Sequence, residues 1–561
     1  MNNLWPRETN AFSAEEFTIC IFTESGSNPA ALSTGVAKSR MLFSISVSNI
    51  CPGEPAAVAG GDPDSNAVSA VAQIMAQTLR KYPMRIFKDP SPTSHSEDRH
   101  RHWHRQITVV ALLAGLSGCF DKPPPVGVIG HVDGNFGGVV SDEPRASLIA
   151  RDILSAGGTA ADAAVALYFA LSVTFPSGAS LGGGGVCVVH DSKTRKVEVI
   201  DFRTGAPSSG NKRGSRSIGI PGNPRGMFAL HARYGQLRWQ QVVFPAEDMA
   251  RFGAPVSRAL AHELGRGGGA FKTKSGGVPK EGDNLQQVEL AATLGRIRAK
   301  GAGEIYTGLL ARKLEAGIAA MGAKLPIADL RGYRPVWRQT AKAHFGNHTV
   351  HFPPAPISGG VIAAHMWDSL EENGAYVPSP AAARQKSLKA SSEAAIRAVL
   401  LPKKRKSNFR SDYGVTSFAT IDRAGGAVAC SVTANRRFGV GRIIPGTGVL
   451  AAWAPGKANG GVSLAPMLIV NPHSGNGYLA AAASGNVGAP GALMSVVLRV
   501  LLDEQPVEAA LAGPRFHAAG VDAAKARVNI IHCPGGMPDV PESCSYGVDP
   551  GGHGYAATAG N

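Results

Sequence analysis

The sequence lacks the short motifs that most simply announce a chemistry. It has seven cysteines, Cys20, Cys51, Cys119, Cys187, Cys430, Cys533 and Cys544, but no two stand at Cys-x-x-Cys spacing. That argues against a zinc ribbon or a dithiol redox site. No apolar run reaches the ~20 residues that a membrane-spanning helix needs. The glycine run 182–185 is not followed by Lys-Ser or Lys-Thr, so a phosphate-cradling loop is unsupported and close backbone packing is expected. Charged residues make up only 17% against 44% hydrophobic ones, which describes a globular chain and not a disordered one. No metal and no cofactor are expected.

Negative charge is also short. The formal net charge is +16, and because Lys/Arg and Asp/Glu balance over residues 1–118, the excess lies wholly beyond them. A basic surface can favour nucleic acid. Here the basic residues are scattered, and the one dense run, Lys403-Lys404-Arg405-Lys406, reads as an exposed linker. No nucleic-acid partner is expected. Cys533 and Cys544 are close enough in sequence to form a disulfide in an oxidising compartment.

What is present begins late. Residues 1–98 show no periodicity and carry Ser/Pro/Ala-rich patches, so they read as disordered or as an over-extended translation start. Residues 99–118 read as a leader. Arg99 to Arg105 form a basic start in which His100, His102 and His104 are merely polar, and an apolar run 107–116 follows. The order Leu116-Ser117-Gly118-Cys119 is similar to a bacterial lipoprotein processing box. It makes Cys119 a candidate lipid-bearing residue and 119–136 a Pro-rich tether. The expected location is periplasmic, with a membrane anchor through the lipid. A short buried helix is the plainer alternative.

From Gly137 the text is regular. A strand and a helix are expected over 139–156, stopped by Gly157-Gly158, and an Ala-rich helix opens at Thr159. Residues 416–421 and 427–432 alternate as strands around the turn 422–426, which is a hairpin. A Thr at the start of such a strand suits a hydrolase that cuts itself before that residue. The freed α-amine then serves as base for the residue's own hydroxyl.

The ordered motifs are Gly157-Gly-Thr-Ala-Ala-Asp162, Pro176-Ser-Gly-Ala-Ser-Leu-Gly-Gly-Gly-Gly185, Asp201-Phe-Arg203-Thr-Gly-Ala-Pro207, Pro221-Gly-Asn-Pro-Arg-Gly226, Asp329-Leu-Arg-Gly-Tyr333, Pro445-Gly-Thr-Gly448 and Gly513-Pro-Arg-Phe-His517. Over about 137–561 the chain resembles the γ-glutamyltranspeptidase (glutathione hydrolase) family of the N-terminal nucleophile hydrolase superfamily. The resemblance implies an α/β (α+β) fold, a four-layer αββα sandwich with two antiparallel sheets. It implies one chain cut into a large part, 137–415, and a small part, 416–561, that remain together as a heterodimer. It implies a small-molecule γ-glutamyl or related amide substrate, cleaved through a Thr acyl-enzyme, with hydrolysis or transfer to an amine. Arg203 matches the arginine that pairs with the substrate carboxylate, and Asn435 and Ser463 match substrate-binding positions. Thr433 matches the second Thr that holds the nucleophile's hydroxyl. The basic stretch 384–412 matches the flexible end of the large part.

Three departures stand out. Counted back from Asp422, the family's nucleophile falls on Val415, which has no hydroxyl, and Thr416 lies one residue later. Either Thr416 attacks after a one-residue shift, or the chain is a non-catalytic binding or structural relative. A one-residue slip also reverses the sheet face. The oxyanion loop carries Pro490, which has no N–H. The acidic stretch after Gly448 is replaced by Ala451-Ala452-Trp453-Ala454-Pro455.

Overall fold

The computed structural model describes residues 135–208, 218–273, 275–400, 413–455, 463–515 and 526–560. The expectations for residues 1–134, Cys119 among them, and for the basic run 403–406 lie outside the described residues.

Two antiparallel sheets form the middle of the fold. Their strands are β1 (Gly137–Ser141), β2 (Gly184–Asp191), β3 (Lys196–Asp201), β4 (Val336–Gln339), β5 (Ala341–Phe345), β6 (His348–Phe352), β7 (Val415–Asp422), β8 (Ala427–Thr433), β9 (Ala465–Val470), β10 (Gly477–Ser484), β11 (Arg527–Met537), β12 (Ser545–Val548) and β13 (Tyr555–Ala559). The first sheet runs β13-β1-β7-β8-β2-β3-β4 and the second β12-β11-β10-β9-β6-β5.

Strand alternation builds the layers. Val140, Val186, Val188, Ala419 and Ile421 of the first sheet pack with Leu468, Ala480, Ala482 and Ile531 of the second. The intervening residues point outward. Cys187, Val189, Phe418, Val428 and Val432 meet the helices α1 (Pro144–Ser155), α2 (Ala160–Thr174), α3 (Asn223–Tyr234), α4 (Trp239–Phe252) and α5 (Val288–Lys300). On the far side Val350, Met467, Ala481 and Ile530 meet α6 (Ser358–Trp367), α7 (Ala381–Leu400) and α8 (Ala489–Leu501). The result is helix, sheet, sheet, helix.

Local sequence accounts for many of these elements. The Thr159 side chain accepts from the Asp162 N–H, and the Asp162 carboxylate accepts from the Thr159 N–H, a capping box that starts α2. The Asp422 carboxylate accepts from the Ala424 and Gly426 N–H groups and closes the hairpin turn between β7 and β8.

The glycine run behaves as close packing. A Cβ on Gly183 would lie 2.4 Å from the Thr433 carbonyl oxygen, and one on Gly184 would lie 2.2 Å from the Thr204 nitrogen. Residues 384–400 correct the expectation of an irregular segment, because they belong to α7. Leu388, Ala395 and Ile396 sit on one helical stripe and are buried among the second helical layer. The exposed Lys386, Lys389 and Arg397 beside them hide that stripe in the sequence.

Two disulfides occur among the described residues. Cys533–Cys544 closes the short loop that the sequence suggests. Cys187–Cys430 was not anticipated; it joins residues directly opposite each other on β2 and β8.

Candidate active site

The site forms where β7 begins. Val415 and Thr416 are both buried, and they face opposite ways. Val415 packs between the two sheets, directly opposite Thr433 on β8. Thr416 pairs with Val432, whose side chain faces the first helical layer.

The Thr416 hydroxyl donates to Asp142 Oδ2 at 2.9 Å. Asp142 directly follows β1 and is almost fully buried. It accepts three more hydrogen bonds: from the Ser417 N–H at 3.2 Å and the Ser484 hydroxyl at 3.0 Å, both on Oδ2, and from Asn529 Nδ2 at 2.9 Å on Oδ1. Asn529 Nδ2 also donates to the Ser417 carbonyl at 2.8 Å. A buried carboxylate needs such a shell, because an unpaired charge in the interior is costly. Sequence reasoning missed Asp142, which belongs to no quoted motif.

Thr433 does not reach Thr416, which corrects the expectation that it holds that hydroxyl. Its own hydroxyl donates to the Gly414 carbonyl at 2.6 Å, and the Ala434 N–H donates to the same oxygen at 3.0 Å. Two donors therefore grip the carbonyl of the peptide that precedes Val415. The physical reason is register: strand side chains alternate, so a residue opposite Val415 lies on the face away from Thr416.

Asn435 sits just past β8 with a left-handed backbone, φ 65°. Its Nδ2 donates to the Thr204 hydroxyl at 2.7 Å and to the Trp453 carbonyl at 2.6 Å. In place of the family's acidic stretch, Trp453 thus offers a backbone carbonyl.

Arg203 follows β3. Its Nε and Nη2 each donate to Asp201 at 2.9 Å, and Nη1 donates to the Pro356 carbonyl at 3.2 Å. The fork is held by an internal carboxylate, with the side chain about 37% exposed. Burial alone would raise the Asp201 carboxyl, but hydrogen bonding to Arg203 and the charges of Arg203 and Arg338 hold it below the usual carboxylate range. Tyr333 ties this corner together by donating its hydroxyl to the Arg203 carbonyl at 3.0 Å.

Ser463 is fully buried, and its hydroxyl has no hydrogen-bond partner among the described residues. The next residue, Leu464, lies against Gly359 in the first turn of α6. Pro490 lies in the first turn of α8, where a missing N–H breaks no helical bond. Its neighbour Gly488 gives its N–H to Asn486 Oδ1 at 2.8 Å.

Among the described residues no cluster of His, Cys, Asp and Glu could hold a metal ion. The geometry offers a hydroxyl on a carboxylate, a doubly held backbone carbonyl and a partly exposed guanidinium. That set suits acyl chemistry on an amide.

Residues 146–399 match the family model described as gamma-glutamyltranspeptidase. Over 304 residues the chain is 32% identical to a glutathione hydrolase proenzyme of Escherichia coli (strain K12), a stretch that covers 48% of this chain and 52% of that protein. It is 26% identical over 514 residues to a glutathione hydrolase proenzyme of Arthroderma benhamiae, covering 73% of this chain and 87% of that one. The chain spans about half the length of most of the curated relatives it matches. Among solved structures, cephalosporin acylase from Bacillus halodurans superposes with a TM-score of 0.62 at 20% identity, covering 78% of this chain and 99% of that one. That likeness shows the shared αββα fold.

Proposed function

We propose that this chain, a member of the γ-glutamyltranspeptidase family, cuts itself before Thr416 and then hydrolyses or transfers a γ-glutamyl or related acyl group. The observation that carries the reading is the Thr416 hydroxyl hydrogen-bonded to Asp142 at 2.9 Å. Thr416 is the hydroxyl residue nearest the start of β7, and a carboxylate stands beside it.

After the cut, Thr416 becomes the first residue of the small part, 416–561, and the large part ends at Val415. The new α-amine serves as base. Thr416 Oγ attacks the substrate amide carbon, the amine leaves with a proton, and an acyl ester remains. Water or a second amine then takes the acyl group. Arg203 would meet the substrate carboxylate, and Asn435 and Ser463 would complete its pocket.

The chain is further proposed to act outside the cytoplasm, anchored through a lipid on Cys119. The two disulfides support an oxidising compartment.

A second reading, an uncut chain that binds without catalysis, is favoured by one observation. Val415, which has no hydroxyl, occupies the place opposite Thr433. A denaturing gel under reducing conditions, with intact mass, decides between them. Two fragments with the smaller beginning at Thr416 support the enzyme, and a single full-length species supports the second reading.

A further inference from the structure

We propose that Asp142 is the general base that activates Thr416 for the self-cleaving step. This inference rests on the reading of Thr416 as nucleophile. It adds a residue that no motif points to.

The argument is one of position. Asp142 Oδ2 is 2.9 Å from Thr416 Oγ1, within direct proton-transfer reach. In the uncut chain Thr416 has no free α-amine, because its nitrogen is in a peptide bond. The base for the first cut must therefore come from elsewhere. Among the described residues, Asp142 is the carboxylate hydrogen-bonded to that hydroxyl. The Ser417 N–H, the Ser484 hydroxyl and Asn529 Nδ2 hold the carboxylate in place from β7, β10 and β11. Both sheets thus fix one base against one hydroxyl. Positioning of that kind is what general-base catalysis needs.

The step balances without any cofactor. Thr416 Oγ bonds to the Val415 carbonyl carbon while its proton passes to Asp142 Oδ2. The C–N bond between Val415 and Thr416 then breaks, and Asp142 returns the proton to the leaving nitrogen. An ester now joins the Val415 acyl group to Thr416 Oγ. Water adds to that ester and releases the Val415 carboxylate, leaving Thr416 with a free hydroxyl and a free α-amine.

The test compares the full wild-type chain with Asp142→Asn, Asp142→Glu and Thr416→Ala. Cleavage is followed over time on reducing gels at several pH values, with N-terminal sequencing of the small fragment and circular dichroism as the check on folding. The wild-type fragment should begin at Thr416. Asp142→Asn should stay folded and cut at least about a hundredfold more slowly, and Asp142→Glu should recover part of the rate. Hydroxylamine should trap the ester and speed release of the fragment.

An Asp142→Asn chain that cuts at the wild-type rate or faster overturns the role of Asp142 and leaves Thr416 standing. A wild-type chain that stays whole, or is cut elsewhere, overturns the Thr416 reading and this inference with it. If Asp142→Asn does not fold, Asp142→Ser takes its place, and a folded Asp142→Ser chain that cuts at the wild-type rate overturns the proposal by itself.

Discussion

Replacing Val415 with Thr should create a second cleavage site one residue before the proposed one. Val and Thr have nearly the same shape, so the change puts a hydroxyl where a methyl group now packs between the sheets. Left unpaired there, the hydroxyl costs about 1–3 kcal/mol. Thr433 lies directly opposite on the same face, and one hydrogen bond to it returns about 1 kcal/mol. The variant should therefore fold with a net loss of about 0–2 kcal/mol. The carbonyl to be attacked is that of Gly414, already held by the Thr433 hydroxyl at 2.6 Å and by the Ala434 N–H at 3.0 Å. That pair is arranged as an oxyanion hole. Removing one such donor commonly costs about a hundred- to a thousandfold in rate. Val415→Thr should thus yield a small fragment starting at the new Thr, and adding Thr433→Val should slow its appearance by about that factor. Reducing gels sampled over hours, with mass measurement of the fragment, read both outcomes. A folded Val415→Thr chain that releases no fragment starting at residue 415 would refute the reasoning. So would one whose cleavage there is indifferent to Thr433→Val.

The disulfide Cys187–Cys430 bridges the two sides of either cut, so a cleaved chain should run as one band without reductant and as two with it; fragments that separate without reductant would contradict the bond. The double variant Cys187→Ser/Cys430→Ser should lose about 2–5 kcal/mol, measured by denaturant unfolding. Burial pushes His351 down to about 3 and His532 down to about 4 from an ordinary 6.5. Below pH 6.5 the unfolded chain binds protons that the folded one refuses, so stability is fully present above that value and falls as the pH drops towards 4. The loss at about pH 5 is on the order of 2 kcal/mol per histidine; His351→Gln should flatten the pH dependence of unfolding, and an unchanged profile would contradict it. Arg203→Ala should weaken binding of a carboxylate-bearing substrate by about 1.5–3 kcal/mol. An equal loss for an analogue without the carboxylate would instead assign Arg203 to holding Asp201.

Much of the fold can be read locally. The capping box at Thr159, the turn at Asp422 and the alternation on either side of it each fix an element from a few neighbouring residues. The helix α7 was hidden because its buried stripe is narrow and most of its residues are polar or small. Asp142 is harder to find. It meets Thr416 across 274 positions, and a lone Asp after a strand has no periodic signature. Cys187 and Cys430 are likewise 243 positions apart, and only the pairing of β2 with β8 makes them neighbours. Such contacts are properties of topology, which no window of residues contains.

The register of the hairpin, by contrast, is implicit in its turn. Once Asp422 to Gly426 closes the loop, each residue of β7 has a fixed partner on β8, and Thr433 must stand opposite Val415. A nucleophile displaced by one residue then lands on the other face and leaves Thr433 behind. The two possible nucleophile positions therefore need separate machinery. Position 415 has the doubly held Gly414 carbonyl but lacks a hydroxyl. Position 416 has a hydroxyl and meets Asp142, itself held by Ser484 and Asn529, in place of Thr433. If the chain cuts itself at Thr416, the base for that first cut has to come from this second set, because Thr433 can serve only the face that Val415 occupies.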